Sequence, residues 1–262
     1  MLSVCPPLCR VGVLLFVTYL EGRRKNVIFG VRKIKPIDII AAMFVLSETV
    51  IFPLIQFTPG DVSAFWSYVA IVLVVLMSLA TFKGLGTDSL IRLGLLFTLV
   101  ADYFLVLDGE KLLEGVAAFI VVQACYFAYL FLGEENGTLR IANVLSRAAT
   151  SVILVVMTFV VLGEDTDALA IASVLYYANL VLNTVFAFLH GRRELIFAVG
   201  LALFCMCDLC IGLEVLFSSY LNSDALDFFY GANLNLPCVF YQPSQVLIAL
   251  SLYYKNGIKS RA

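Results

Sequence analysis

Long apolar runs separated by short polar breaks dominate this chain. The runs predict helices near residues 36–57, 64–82, 89–107, 112–132, 142–162, 168–189, 195–218 and 236–254. Each has close to the about 20 predominantly apolar residues that a helix needs to cross the hydrocarbon of a bilayer. None alternates apolar and polar positions with period two, so a membrane β-barrel is excluded. The expected fold is all-α, a polytopic membrane bundle of about eight transmembrane helices. Of the breaks, only SSYLNSDALDFFYGANLNL at 218–236 is long enough to form a cap or lid.

Composition strengthens this picture. Of 262 residues, 62% are hydrophobic and 14% charged, with a mean hydropathy of +1.00, against roughly 45–50% apolar residues in soluble domains. The net charge of -2 says less than its distribution. Arg23, Arg24, Lys25, Arg32, Lys33 and Lys35 precede the first run. Lys83 and Arg92, Arg140 and Arg147, Arg192 and Arg193, then Lys255, Lys259 and Arg261 fall in every second break. The remaining breaks are acidic, with Lys111 as their only base. By the positive-inside rule both ends of the bundle are expected in the cytoplasm. Nothing in the charge pattern points to nucleic acid as a partner.

Residues 1–35 read as a basic N-terminal segment, 36–254 as the transmembrane domain and 255–262 as a basic tail. Val11–Leu20 is short for a span, and TYLEGRRKN offers no small-residue cleavage site. An interfacial segment, an extra span and a targeting role therefore stay open. The seven cysteines show no paired loop framework, so no disulfide is expected. Cys205, Cys207 and Cys210 with Asp208 resemble a metal cluster on paper, but zinc sites usually draw ligands from more than one segment. The only histidine, His190, sits at a helix end, which argues against a Ser-His-Asp triad or a histidine metal site.

Two acids interrupt the apolar runs. An ionisable side chain near a helix centre costs about 2.5–3.5 kcal/mol on insertion scales, so such residues usually face the interior and mark function. Asp102, in LFTLVADYFLVL, lies as far beyond Ser89 as Asp208, in ALFCMCDLCIG, lies beyond Leu195. Both runs are expected to rise from the cytoplasm, which puts the two aspartates at one depth. An even number of spans separates them, leaving room for a parallel internal repeat. Glu48, Gln123, Tyr126, Tyr176, Asn179, Asn183, Tyr241, Gln242 and Gln245 fall at similar depth. They either line one pocket or bond neighbouring helices. No lysine or arginine is expected at the depth of the aspartates.

The aspartate late in one span, Gln123 and Tyr126 in the next, the second aspartate span LALFCMCDLCIGLEVL and the final span YQPSQVLIALS together resemble the YhhN family of lysoplasmalogenase-like membrane proteins. The resemblance covers roughly residues 36–254. It implies an eight-span protein that hydrolyses the vinyl ether of a lysoplasmalogen to a fatty aldehyde and a glycerophospho-base. It places Asp102 and Asp208 on the family's two aspartates, and Tyr241 and Gln245 on the polar positions of the last span. Gln123 stands where a histidine is often found, and Ala101 replaces the glycine before the first aspartate.

On this reading Asp102 and Asp208 are catalytic, and Gln123, Tyr126, Asn179, Asn183, Tyr241, Gln245 and Glu48 bind substrate. Protonating the double bond gives an oxocarbenium ion that water captures, for which one carboxylic acid and one carboxylate suffice. Two aspartates close together in a poorly solvated pocket do not both ionise easily, which keeps one available as the acid. No cofactor or metal is expected. The partner is lipid substrate within the bilayer, with no obligate protein partner, and the expected site is the plasma membrane of a bacterium or the endoplasmic reticulum of a eukaryote. The main alternative is a proton-coupled small-molecule transporter with the same aspartates as a relay. An intramembrane aspartyl protease fits less well, since neither aspartate has a GxGD setting, and a scaffold without enzymatic activity is the remaining class.

Overall fold

The computed structural model describes the backbone of residues 35–220 and 235–259 and the side chains of 35–214 and 235–255. The expectations for the segment before residue 35, most of the cap and the end of the basic tail lie outside the described residues. Among those residues there is no strand, and eight long helices form the chain: α1 (Pro36–Phe57), α2 (Gly60–Ala80), α3 (Asp88–Asp102), α4 (Leu112–Gly133), α5 (Gly137–Leu162), α6 (Ala168–Leu189), α7 (Leu195–Tyr220) and α8 (Leu236–Lys259). Contacts divide the chain after Ile39. Of the first unit only residues 35–39 are described, where the Lys35 backbone N–H donates to Asp38 at 3.2 Å. All that follows concerns the second unit.

The helices begin where capping allows, which is earlier than hydropathy alone suggests. α2 starts at Gly60, directly after the extended Pro59, and not near 64. α5 starts at Gly137, because the Asn136 side chain accepts from the Thr138 N–H at 3.0 Å, and not near 142. Asp167 caps α6 by accepting from the Ala170 N–H at 2.7 Å. A polar cap marks a helix start, whereas hydropathy marks entry into hydrocarbon.

Seven described helices, α1 to α7, are long and apolar enough to cross a membrane, α3 being counted with the segment that continues it. α8 is as long, but its first half carries Tyr241, Gln242, Ser244 and Gln245, which keeps it out of that set. Apolar side chains cover both the inside and the outside of the bundle. Ile91, Leu95, Val122, Leu180, Leu201 and Ile248 are fully enclosed, while Met43, Leu46, Leu145, Val152, Val160 and Val161 are exposed. Helices that are hydrophobic all round belong in lipid. This is an integral, multi-pass membrane protein.

The most extensive contacts join α3 to α4 and α7 to α8. Contacts also join α4 to α6, α8 to α2, α2 to α3 and α6 to α7. Two close approaches depend on glycine. A Cβ on Gly200 of α7 would lie 2.8 Å from Ile248 Cγ1 and 3.1 Å from the Ser244 carbonyl oxygen of α8, and one on Gly94 of α3 would run into the Tyr126 ring of α4. Gly200 thereby sets the distance between the helix that carries Asp208 and the helix that carries Tyr241.

Candidate active site

Asp102 is the last residue of α3, and directly after it the chain widens into a π-helical segment, Tyr103–Asp108. Such segments are rare and frequent at functional sites. Asp102 is 4% exposed. Across the α3–α8 contact, the Tyr241 hydroxyl donates to both of its carboxylate oxygens, at 2.7 Å and 2.6 Å. Burial of a carboxylate is costly unless hydrogen bonds replace its water, and this tyrosine is the replacement.

Asp208 sits in the middle of α7 and is half-buried. Tyr176 of α6 donates to its Oδ2 at 2.5 Å. Its Oδ1 has no hydrogen-bond partner among the described residues. One helical turn before Asp208, Phe204 meets both tyrosines edge-on, with ring centroids 5.5 Å from Tyr241 and 6.4 Å from Tyr176. Phe119 of α4 packs on Tyr176 at 5.4 Å and on Phe204 at 5.5 Å. The two tyrosine–aspartate pairs thus stand around one aromatic wall.

A cavity of about 20 Å³ adjoins Tyr241 between α1, α2 and α8, lined also by Gln242, Gln245, Ser67 and Cys238. That is room for one water. The side-chain oxygens of Gln242 and Gln245 are buried with no hydrogen-bond donor among the described residues, as an acceptor facing a water would be.

The sequence-predicted residues fall into separate places. Asp102, Asp208 and Tyr241 come together, and Gln245 lines the adjoining cavity, where its Nε2 donates to Ser244 Oγ at 3.3 Å. Glu48 of α1 is 4% exposed and accepts from Gln242 Nε2 at 2.8 Å. Tyr126 is fully buried, edge-on to Phe197 at 5.3 Å with its hydroxyl beside Thr98.

Gln123, Asn179 and Asn183 belong to a second cluster around Arg147. The Asn183 amide donates to Gln123 Oε1 at 2.9 Å, and Arg147 donates to Asn179 and Asn183 at 2.7 Å each. The run predicted over 142–162 contains Arg147, and because α5 begins at Gly137 the residue lies well inside the helix. Its spacing from Arg140, two turns on one face, is the signal that could have placed it. Tyr176 was legible only as one polar group among several. No group of three or more histidine, cysteine, aspartate or glutamate side chains is arranged to hold a metal ion among the described residues.

The chain belongs to the YhhN family, whose model matches residues 62–252, from the start of α2 into α8. That range includes both aspartates, both tyrosines and the Arg147 cluster, and leaves out Glu48. Neither a curated protein nor a solved structure matches the chain.

Proposed function

We propose that this YhhN-family protein hydrolyses the vinyl ether of lysoplasmalogen-like lipids inside the bilayer, with Asp102 and Asp208 as the acid–base pair. One observation supports it above the others: two intramembrane carboxyls from different helices, each held by a tyrosine hydroxyl, meet at the same aromatic wall. The lipid-soluble part of such a substrate is already at that depth, so the reaction needs only a proton and a water delivered there.

Asp208 suits the acid. Its Oδ1, without a hydrogen-bond partner among the described residues, and its half-buried position suit contact with a substrate. In its protonated form it gives the proton to the alkenyl carbon that is not bonded to oxygen, and positive charge develops on the adjacent carbon and the ether oxygen. Asp102, bonded to Tyr241, which itself lines the cavity, suits the base. It takes a proton from the water as the water adds to the cationic carbon. The resulting hemiacetal breaks its bond to the glycerol oxygen, yielding one fatty aldehyde and one glycerophospho-base for each water consumed. General acid–base catalysis of this kind contributes about 100- to 10,000-fold.

The test is aldehyde release by purified protein, in detergent or nanodiscs, from a 1-alkenyl lysophospholipid. An ester-linked lysophospholipid is the control and should not be turned over. Wild-type protein that leaves the vinyl ether intact, while proteoliposomes show aspartate-dependent proton or solute flux, would replace this reading with the transporter.

A further inference from the structure

Arg147 is 8% exposed, within α5. Its Nε donates to Asn143 Oδ1 at 2.9 Å, Nη1 to Asn179 Oδ1 at 2.7 Å and Nη2 to Asn183 Oδ1 at 2.7 Å, while its guanidinium lies 4.4 Å from the centre of the Phe127 ring. None of these groups is an anion, and among the described residues no carboxylate forms an ion pair with it. The charge is held in position but not neutralised. A bare cation at this depth is expensive, and a neutral side chain would cross-link the same asparagines at lower cost. A guanidinium has five N–H groups, so these three bonds leave one on each Nη.

The cluster also shares a helix with the tyrosine that bonds Asp208. Tyr176, Asn179 and Asn183 share one face of α6. At a rise of 1.5 Å per residue, Asn179 and Asn183 lie about 5 and 10 Å along the helix from Tyr176, which bonds Asp208. Arg147 spans the two asparagines, so its axial distance from Tyr176 falls between those values. In a lysophospholipid the ether oxygen and the phosphorus are separated by the three glycerol carbons and one oxygen, a comparable span. In the most apolar stretch of α5 only 11% of the residues are buried, the smallest share among the spanning helices, while Arg147 and Asn143 are on its enclosed side, against the buried Asn183 and the half-buried Asn179 of α6. Arg140, two turns earlier on the same face, stacks over Phe131 at 4.7 Å and continues the basic stripe toward the helix end.

We infer that Arg147 and its asparagine cradle form a binding site for the phosphate of a lysophospholipid, which holds the lipid so that its glycerol ether extends toward Tyr176 and Asp208. The asparagines aim the guanidinium, and the phosphate supplies the missing negative charge. The placement of the reacting end rests on the two-carboxyl reading, but phosphate binding does not require it.

The experiment uses full-length protein and an unreactive probe, 1-O-alkyl-glycerophosphocholine, with binding read by native mass spectrometry or thermal stabilisation. The same lipid without phosphate, a 1-O-alkylglycerol, and inorganic phosphate are the comparison ligands. Arg147→Gln should weaken the phospholipid by about tenfold or more, the worth of one charged hydrogen-bonding contact, and leave the alkylglycerol unchanged. Arg147→Lys, which retains the charge but not the fork, should give an intermediate loss and serves if the glutamine variant folds poorly. Equal weakening of both lipids would make Arg147 a structural cross-link and overturn the inference, as would unchanged phospholipid binding. Binding of inorganic phosphate as tight as that of the lipid would make it a free-anion site, and equal competition by a diacyl phospholipid would make it a site for bulk lipid; either overturns it. Because the probe has no vinyl ether, the outcome is readable even if the protein hydrolyses nothing.

Discussion

The two tyrosine–aspartate pairs are built from the same parts but differ in enclosure and in origin. Asp102 is sealed, and one hydroxyl from α8 bridges both of its oxygens. Asp208 is half-open, and a hydroxyl from α6 occupies one oxygen. The helix contacts around them have a partial symmetry: α3–α4, α4–α6 and α2–α3 correspond, four helices on and returning to the start, to α7–α8, α8–α2 and α6–α7. The correspondence is incomplete, since α5 packs on α6 without a matching contact of that extent between α1 and α2. The hydrogen bonds do not follow it, since the counterpart of Tyr241 on α8 would lie on α4, whereas Asp208 is served from α6. Similar scaffolding around the two acids has been given different second partners, and a difference in environment is how two identical carboxyls acquire two roles.

The largest effects should come from the acids themselves. Asp102→Asn and Asp208→Asn are each expected to lower kcat for aldehyde release by about 100- to 10,000-fold, measured on protein shown to be folded by thermal denaturation. Asparagine keeps the shape and accepts the tyrosine's hydrogen bond but carries no transferable proton. The comparison breaks if only one variant is impaired, because the chemistry would then need one carboxyl and the other pair would be structural.

Removing the tyrosine hydroxyls should cost less and should separate the pairs. Tyr241→Phe strips Asp102 of both hydrogen bonds in a closed setting, for an expected loss of about 10- to 100-fold in kcat/KM with a measurable fall in Tm. Tyr176→Phe leaves Asp208 a route to water through its exposed side, so about tenfold or less is expected. Steady-state kinetics and a melting curve on the two variants decide it. A greater loss for Tyr176→Phe would exchange the roles assigned to the two aspartates.

Much of this architecture could be read from the sequence, and the reasons it could are specific. The runs at 36–57 and 168–189 reproduce α1 and α6 because hydrocarbon thickness imposes one length on each span. Asp102 and Asp208 stood out because an acid in an apolar run has no structural excuse. What stayed hidden were relations between distant positions. Tyr241 bonds Asp102 across the whole membrane domain, and periodicity within one helix says nothing about which tyrosine on another will face it. Gln123, Asn179 and Asn183 were expected at a depth similar to that of the aspartates, yet they gather in the Arg147 cluster, since position along a run does not fix direction around the bundle. Arg147 falls within the run at 142–162, but nothing in that run says which asparagines of α6 it will meet.

The smallest effect is expected at Glu48, the third acid buried in the membrane, and it tests whether the comparison involves two carboxyls or three. Its Oε2 accepts from Gln242, whereas its Oε1 and the Gln242 Oε1 have no hydrogen-bond partner among the described residues. Glutamine at this position could keep the accepted bond through its own oxygen and offer its amide to the Gln242 oxygen, pairing two amides in place of an acid and an amide. Removing the carboxyl also removes the cost of ionising it in a poorly solvated site. Glu48→Gln should therefore leave kcat/KM for the alkenyl lysophospholipid within about twofold and Tm unchanged or slightly raised, because a satisfied neutral pair replaces a half-satisfied one. Glu48 also lies on α1, outside the residues that match the family, while both aspartates lie inside them. A loss as large as that of the aspartate variants would show that Gln242 connects Glu48 to the Tyr241 side of the site, and the proton route would then have to begin at α1.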